Sequence, residues 1–278
     1  ECIDGFGVMG FGHIEIGTIT PKPQPGNEGV RVRRLSERAA LINRMGFPSA
    51  GVEVVERRLA GYREREGELT AHLPMAPRLG INIGKNKDTP NELAYRDYSL
   101  LVERLGPYAD YLTVNISSPN TPQLRSLQAL EPLRRLLEPI MESRAQVVSS
   151  HGKPPPVVIK LSPEGQEAPL EETLDLFTEL GVNGVILANT RRVESTDEWG
   201  VSGGMSGAPL FQSCLELISR AKRHAPEITV IASGGVGSSS QALRLHAAGA
   251  DLIQIWTSLI YRGPSIIRAL SSEDDAQR

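Results

Sequence analysis

A parallel α/β architecture is predicted by three features of this 278-residue sequence: short Val- and Ile-rich runs recur along the chain, amphipathic segments separate most of them, and the runs end in polar or glycine residues. The strand-like runs are His13 to Ile19, Leu79 to Gly84, Tyr111 to Ile116, Pro156 to Leu161, Gly184 to Asn189, Thr229 to Ser233 and Leu252 to Thr257. Helical patterns lie between them, as in Leu130-Leu133-Leu136-Leu137-Ile140 and Leu170-Leu174-Phe177-Leu180, where apolar residues recur three and four apart. Alternation of this kind argues for a parallel sheet, and nearly continuous apolar strands argue for one covered on both faces. A (β/α)8 barrel satisfies both. Its usual size of roughly 250 residues suits a single large domain of this composition, 40% hydrophobic and 23% charged.

Seven runs leave such a barrel one strand short. Ile3 to Met9 reads as a short helix ahead of His13 to Ile19, so the expectation is one barrel domain over 1–278, incomplete at its N-terminus. The segment Thr20 to Pro77 is the other irregularity. It carries a Pro-rich turn at Pro21 to Gly26, the basic run Arg31-Val32-Arg33-Arg34 and a helix around Val52 to Glu66, and an insertion of this size is more often functional than idle.

Composition narrows the function. A net charge of −3 suggests neither nucleic acid nor an anionic membrane surface as a partner of the chain as a whole. Cys2 and Cys214 are far apart, lack metal-ligand spacing and read as small buried hydrophobes, so no metal site is expected. No apolar run approaches the roughly 20 residues that span a bilayer, and no signal peptide is visible.

The strand ends carry the chemistry. Asn115-Ile116-Ser117-Ser118-Pro119-Asn120-Thr121 follows an apolar β-prone run, and Pro119 and Pro122 prevent a helix directly after it, so a polar loop is expected at a strand tip. Thr18, Asn82 through Lys87, Lys160, Asn189-Thr190 and Gly234-Gly235 stand at other tips. Val230 to Val236, followed by Ser238-Ser239, reads as strand, glycine turn and helix start, a combination that aims backbone N–H groups at an anion. Gly203 to Leu210 repeats that logic one unit earlier; with Trp256-Thr257 the glycines form a candidate phosphate cradle.

These residues also resemble a known family. EIGTITPKPQPGN, LINRMGF, GINIGKNKDTP, NISSPNTPQLRSLQ, VVIKLSP, GVILANT, GGMSGAPL and IASGGVGSS, in this order, resemble the quinone-dependent (class 2) dihydroorotate dehydrogenases over Glu1 to about Pro264. The resemblance implies FMN as cofactor and oxidation of dihydroorotate to orotate in pyrimidine biosynthesis. It implies a membrane quinone, ubiquinone or menaquinone, as final acceptor, and a peripheral place on an inner membrane, with the bacterial cytoplasmic face ranked ahead of the mitochondrial inner membrane. Residue by residue, it makes Ser118 the catalytic base, where the cytosolic class has cysteine, with Thr121 and Phe47 flanking the proton path. Asn43, Arg44, Met45, Gly46, Phe47, Asn115, Asn120, Asn189 and Thr190 match the substrate pocket. Thr18, Asn82, Asn115, Lys160 and the Ala188 backbone match flavin contacts, Gly207, Gly235, Trp256 and Thr257 match the phosphate cradle, and Arg34 matches an arginine of the quinone passage.

Three departures accompany the match. The family's Gly-Phe-Asp-Lys motif and its N-terminal membrane helices would lie before Glu1, and Trp256 and Arg191 stand where tyrosine and threonine are more usual. The chain expressed alone is therefore expected to bind FMN poorly. The competing reading is a degenerate barrel that binds a phosphorylated ligand or a protein partner.

Overall fold

The structure, a computed structural model, describes residues 3–73, 76–121, 123–162, 168–194 and 202–271. Cys2, Pro122 and Pro163, which the sequence reading drew on, lie outside the described residues. The chain begins with α1 (Ile3–Val8) and β1 (His13–Ile19), followed by β2 (Val32–Leu35), β3 (Ala40–Asn43), the long α2 (Val52–Thr70) and β4 (Arg78–Ile83). Strict alternation follows: α3 (Ala94–Leu105), β5 (Tyr111–Asn115), α4 (Leu130–Ala145), β6 (Val157–Lys160), α5 (Leu170–Glu179) and β7 (Gly184–Leu187). The remainder holds β8 (Arg191–Val193), β9 (Gly203–Gly207), α6 (Phe211–His224), β10 (Thr229–Ser233), α7 (Ser239–Ala247), β11 (Leu252–Gln254), α8 (Thr257–Arg262) and α9 (Ser265–Ser271).

Among the described residues, β1, β4, β5, β6, β7, β10 and β11 are hydrogen-bonded neighbours in that order, which is the order of the seven predicted runs. The pairs β1–β4, β4–β5, β7–β10 and β10–β11 are parallel, as the alternation required. The strands end slightly earlier than expected. The run Leu252 to Thr257, for example, is strand only to Gln254, and Thr257 opens α8.

Two compact units are distinguishable, Glu1–Gly26 with Phe47–Asn115 and Arg134–Val158, and Asn27–Gly46 with Ile116–Leu133 and Ile159–Arg278. In the first, Leu79, Ile81 and Ile83 of β4 and Leu112 and Val114 of β5 are fully buried together with Leu101, Val102 and Leu105 from the apolar face of α3. In the second, Val185 to Leu187 and Val230 to Ala232 form the buried strand interior, and Cys214, Ile218 and Ala221 bury one face of α6. The Cys214 thiol donates to the Leu187 carbonyl at 3.4 Å, and burial pushes its pKa up to about 11, so it behaves as an inert core residue.

The second unit also contains a sheet that the sequence reading did not anticipate. β2, β3, β9 and β8 pair antiparallel in that order, with Asn43 opposite Gly204 and Ala40 opposite Gly207. Ala40, Ile42, Val193 and Met205 form its small core. The basic run at Arg31 to Arg34 is thus part of a hairpin, and Gly203 to Gly207 is a strand where a glycine turn was expected; the 3-10 turn Ala208–Leu210 then delivers the chain to α6.

At the opposite ends of the strands, a recurring device ties neighbours together. Asp110, just before β5, accepts from Leu79 N at 2.5 Å, and Asp251, just before β11, accepts from Val230 N at 2.7 Å. Asp110 also meets Arg63 at 3.2 Å and His151 at 2.6 Å, and its side chain is only 6% exposed. Burial alone would raise its pKa, but the Leu79 N–H, His151 and Arg63 together hold the carboxyl below its ordinary value. A carboxyl whose folded pKa is depressed stabilises the fold above its unfolded pKa and loses that contribution as pH falls through the folded value. We therefore expect Asp110→Ala to destabilise the fold by about 2–4 kcal/mol at neutral pH, with the gap to wild type narrowing below about pH 4 in denaturant titrations.

Candidate active site

The segment after β5 turns polar where the apolar strand ends, and in the second unit its side chains are engaged. Ser118, only 6% exposed, accepts a hydrogen bond on Oγ from Asn120 N at 3.2 Å. Asn120 in turn donates through Nδ2 to the backbone oxygen and Oδ1 of Asn43, both at 3.1 Å, and Asn43 Nδ2 reaches the Gly204 carbonyl at 3.3 Å. Asn189, just past β7, donates to Ser117 Oγ at 2.7 Å. These bonds join Ser118, Asn120 and Asn43, and Asn189 reaches the same loop through Ser117, the chain neighbour of Ser118.

Two members of that network were missed. Ser117 is fully buried and orients Asn189, while Arg125 donates to the Ser117 carbonyl at 3.0 Å and to the Thr190 carbonyl at 2.9 Å, joining the loops after β5 and β7. Both lie inside the quoted NISSPNTPQLRSLQ stretch, and an arginine among uncharged polar residues was the available signal. Thr121 is buried beside this network in sequence, and its carbonyl accepts from Leu124 N.

A cavity of about 390 Å³ in the same unit is lined by Asn43, Lys160, Asn189 and Thr190 and also by Gly207, Gly235, Trp256 and Thr257. Residues expected at the substrate and residues expected at the phosphate therefore line one space. Gly235 has φ +74°, and a Cβ there would lie 2.5 Å from Phe211 N, so only glycine lets the β10 loop approach the start of α6 this closely. Thr257 Oγ1 donates to Ser206 Oγ at 2.8 Å, whereas Trp256 is 66% exposed, leaving its backbone as the part suited to a ligand. Ser258, another lining residue, has a buried hydroxyl with no protein partner. A glycine-lined cavity with an unmet hydroxyl donor fits a phosphorylated ligand. Ala188, buried after β7, donates its N–H to the Ser233 carbonyl at 3.1 Å.

The first unit holds a second polar cluster. Thr18 Oγ1 donates to Asn82 Oδ1 at 2.7 Å, and Asn115 Nδ2 reaches Thr18 Oγ1 at 3.1 Å and Asn82 Oδ1 at 3.2 Å. Phe47 sits in this unit with φ +52°, its ring against Gly84. Other polar tips are structural: Lys85 is buried with Nζ on the Thr89 carbonyl at 2.7 Å, and Asn86 binds Gln24 Oε1 at 2.9 Å.

Of the remaining predicted residues, Arg44 and Met45 are exposed, with the Arg44 and Met45 carbonyls held by Asn27, and Gly46 is buried beneath that same asparagine. Arg34 is exposed on β2 with its guanidinium 5.8 Å from the Tyr261 ring centroid, a cation–π contact. Among the described residues no cluster of three or more His, Cys, Asp or Glu could hold a metal, and no helix is long and apolar enough to cross a membrane.

Comparison with known proteins identifies the family. The family model described as dihydroorotate dehydrogenase matches residues 1–274. A protein of Xylella fastidiosa (strain 9a5c) named dihydroorotate dehydrogenase (quinone) is 42% identical over 273 residues, covering 95% of this chain and 74% of its own length. The protein of that name from Xanthomonas campestris pv. campestris (strain B100) is 43% identical over 272 residues, covering 96% and 75%. Among solved structures, ligand-free DHODH from Eimeria tenella superposes with a TM-score of 0.85 at 37% identity, covering 94% of this chain and 75% of that one. The chain belongs to the dihydroorotate dehydrogenase family.

Proposed function

We propose that this protein oxidises dihydroorotate to orotate, with FMN as the immediate and a membrane quinone as the final electron acceptor. The observation that carries the reading is one cavity lined both by Asn43, Lys160, Asn189 and Thr190 and by Gly207 and Gly235. Bound FMN would supply the hydride acceptor. The side chains of this protein supply the rest.

Asn43, Asn120 and Asn189 are neutral amides, each offering a donor and an acceptor, which suits a ring with alternating carbonyl and N–H groups. The Asn120–Asn43 bonds and the separate Asn189–Ser117 bond preorganise them, so little order is lost when substrate arrives. Ser118 Oγ takes the proton from C5 of the substrate. Its low exposure excludes bulk water, and the Asn120 N–H directed at Oγ favours the alkoxide character that Oγ gains as its own hydroxyl proton departs and the C5 proton takes its place. Thr121 and Phe47 flank the route by which that proton leaves. Lys160, at the end of β6, places a positive charge on the cavity wall. Thr18, Asn82 and Asn115 contact the flavin ring, and Gly207, Gly235, Thr257 and the Trp256 backbone hold its phosphate.

Arg34 borders the quinone route, and its stacking on Tyr261, itself a cavity-lining residue, supports that assignment. Use of a quinone dissolved in the bilayer places the working protein at the face of an inner membrane. The substrate reading is tested by orotate binding. Orotate is expected to raise the melting temperature of the full-length protein, and Asn120→Ala is expected to weaken orotate binding about tenfold or more, the cost of one lost buried hydrogen bond to a ligand. Equal binding by the variant would remove Asn120, and the network built on it, from the substrate site.

A further inference from the structure

We infer that Glu15 is a positioning residue that fixes the polarity of the Asn82 amide; the inference rests on the flavin reading above. Glu15 lies on β1, half-buried, at the head of the EIGTITPKPQPGN stretch, and the resemblance gave it no role. Its Oε1 accepts from Asn82 Nδ2 at 2.8 Å, and its Oε2 accepts from Thr113 Oγ1 at 2.8 Å and from Tyr111 OH at 3.4 Å. Gly80, between them in the sheet, lets Tyr111 lie close: a Cβ at Gly80 would fall 2.1 Å from Tyr111 Cζ.

The oxygen and nitrogen ends of an asparagine amide are nearly isosteric, so orientation is decided by partners. At Asn82 the oxygen end accepts from Thr18 Oγ1 and Asn115 Nδ2. Those two donors could also be satisfied in other ways, because a hydroxyl rotates. A carboxylate, in contrast, is acceptor-only, and so demands the Nδ2 end. Glu15 therefore sets Asn82, and Asn82 sets which donors and acceptors of Thr18 and Asn115 remain for a bound ring. Glu15 acts through Asn82 and is not itself a catalytic residue.

The test is a compensation experiment on full-length apoprotein, titrated with FMN and read by quenching of flavin fluorescence. Asn82→Asp puts two carboxylates where one bond ran, and should weaken FMN binding by about tenfold or more, since like charges at hydrogen-bond distance are strongly disfavoured. Combining it with Glu15→Gln rebuilds these three bonds: Gln Nε2 donates to the new carboxylate, and Gln Oε1 accepts from Thr113 and Tyr111. The double variant should therefore bind FMN at least about threefold more tightly than Asn82→Asp alone, as expected when a reciprocal pair is rebuilt, while staying below wild type because residue 82 itself meets the flavin. A purely structural role for Glu15 predicts no such recovery.

Glu15→Ala alone should also weaken FMN binding by about tenfold, because the Asn82 amide loses its obligate acceptor. If Glu15→Ala fails to fold, the Asn82→Asp pair still decides. A double variant no better than Asn82→Asp, or a folded Glu15→Ala that binds FMN like wild type, would overturn the role of Glu15 and leave the flavin reading intact. Wild-type protein that takes up no FMN would overturn both.

Discussion

Ser118→Ala is expected to leave FMN bound to the full-length protein while slowing its reduction by dihydroorotate by about a hundredfold or more, the usual contribution of a general base. The expectation follows from geometry. Ser118 is buried, its Oγ receives the Asn120 N–H, and the neighbouring Ser117 is committed to Asn189, so no second hydroxyl in the described network stands ready to replace it. Loss of the hydroxyl removes the proton acceptor and leaves the flavin contacts of Thr18, Asn82 and Asn115 untouched. Anaerobic stopped-flow measurement of flavin bleaching separates the two effects, and near-normal reduction by the variant would exclude Ser118 as the base. Ser118→Cys should retain activity that rises with pH, because a thiol with a pKa near 8.5 becomes thiolate in that range.

The second large effect is expected at Gly235. Alanine there places Cβ 2.5 Å from Phe211 N and 2.9 Å from Phe211 Cα, both backbone atoms, at a φ of +74° that L side chains rarely adopt. Either the loop after β10 or the start of α6 must move; Gly235 itself lines the cavity, as does Leu210 immediately before α6. We expect Gly235→Ala to weaken FMN binding by about a hundredfold, in keeping with roughly 3 kcal/mol for backbone overpacking with an unfavourable φ. Titration of apoprotein with FMN measures this directly. Unchanged affinity would mean that the phosphate does not lie against this loop.

The parallel strands were legible because burial on both faces demands unbroken apolar runs, and Val157–Lys160 and Thr229–Ser233 fall inside the segments expected of them. The antiparallel sheet was not. Val32, Arg33 and Arg34 of β2 are all exposed, so no inside–outside alternation marks the strand, and β9 is the glycine-rich Gly203–Gly207, whose composition reads as a turn. What makes both into strands is pairing with β3, and the Asn43–Gly204 partnership joins residues 161 apart in sequence.

The site divides the same way. Residue identities at the strand tips were readable, since Ser, Asn and Lys at such positions are not required by packing. Their hydrogen-bond direction was not, and it distinguishes Asn86, which ties a loop through Gln24, from Asn82, which answers to Glu15. Glu15 and Arg125 escaped notice because a lone charged residue in a strand or loop is usually solvated; only the fold shows that one gathers three donors and the other bridges two carbonyls.

The central claim is that these residues oxidise dihydroorotate through a bound flavin. Anaerobic addition of dihydroorotate to the purified, FMN-loaded full-length protein tests it most directly. The account predicts that the visible flavin band bleaches as one orotate forms per flavin and returns when a quinone is added. A bound flavin that dihydroorotate fails to bleach would contradict it.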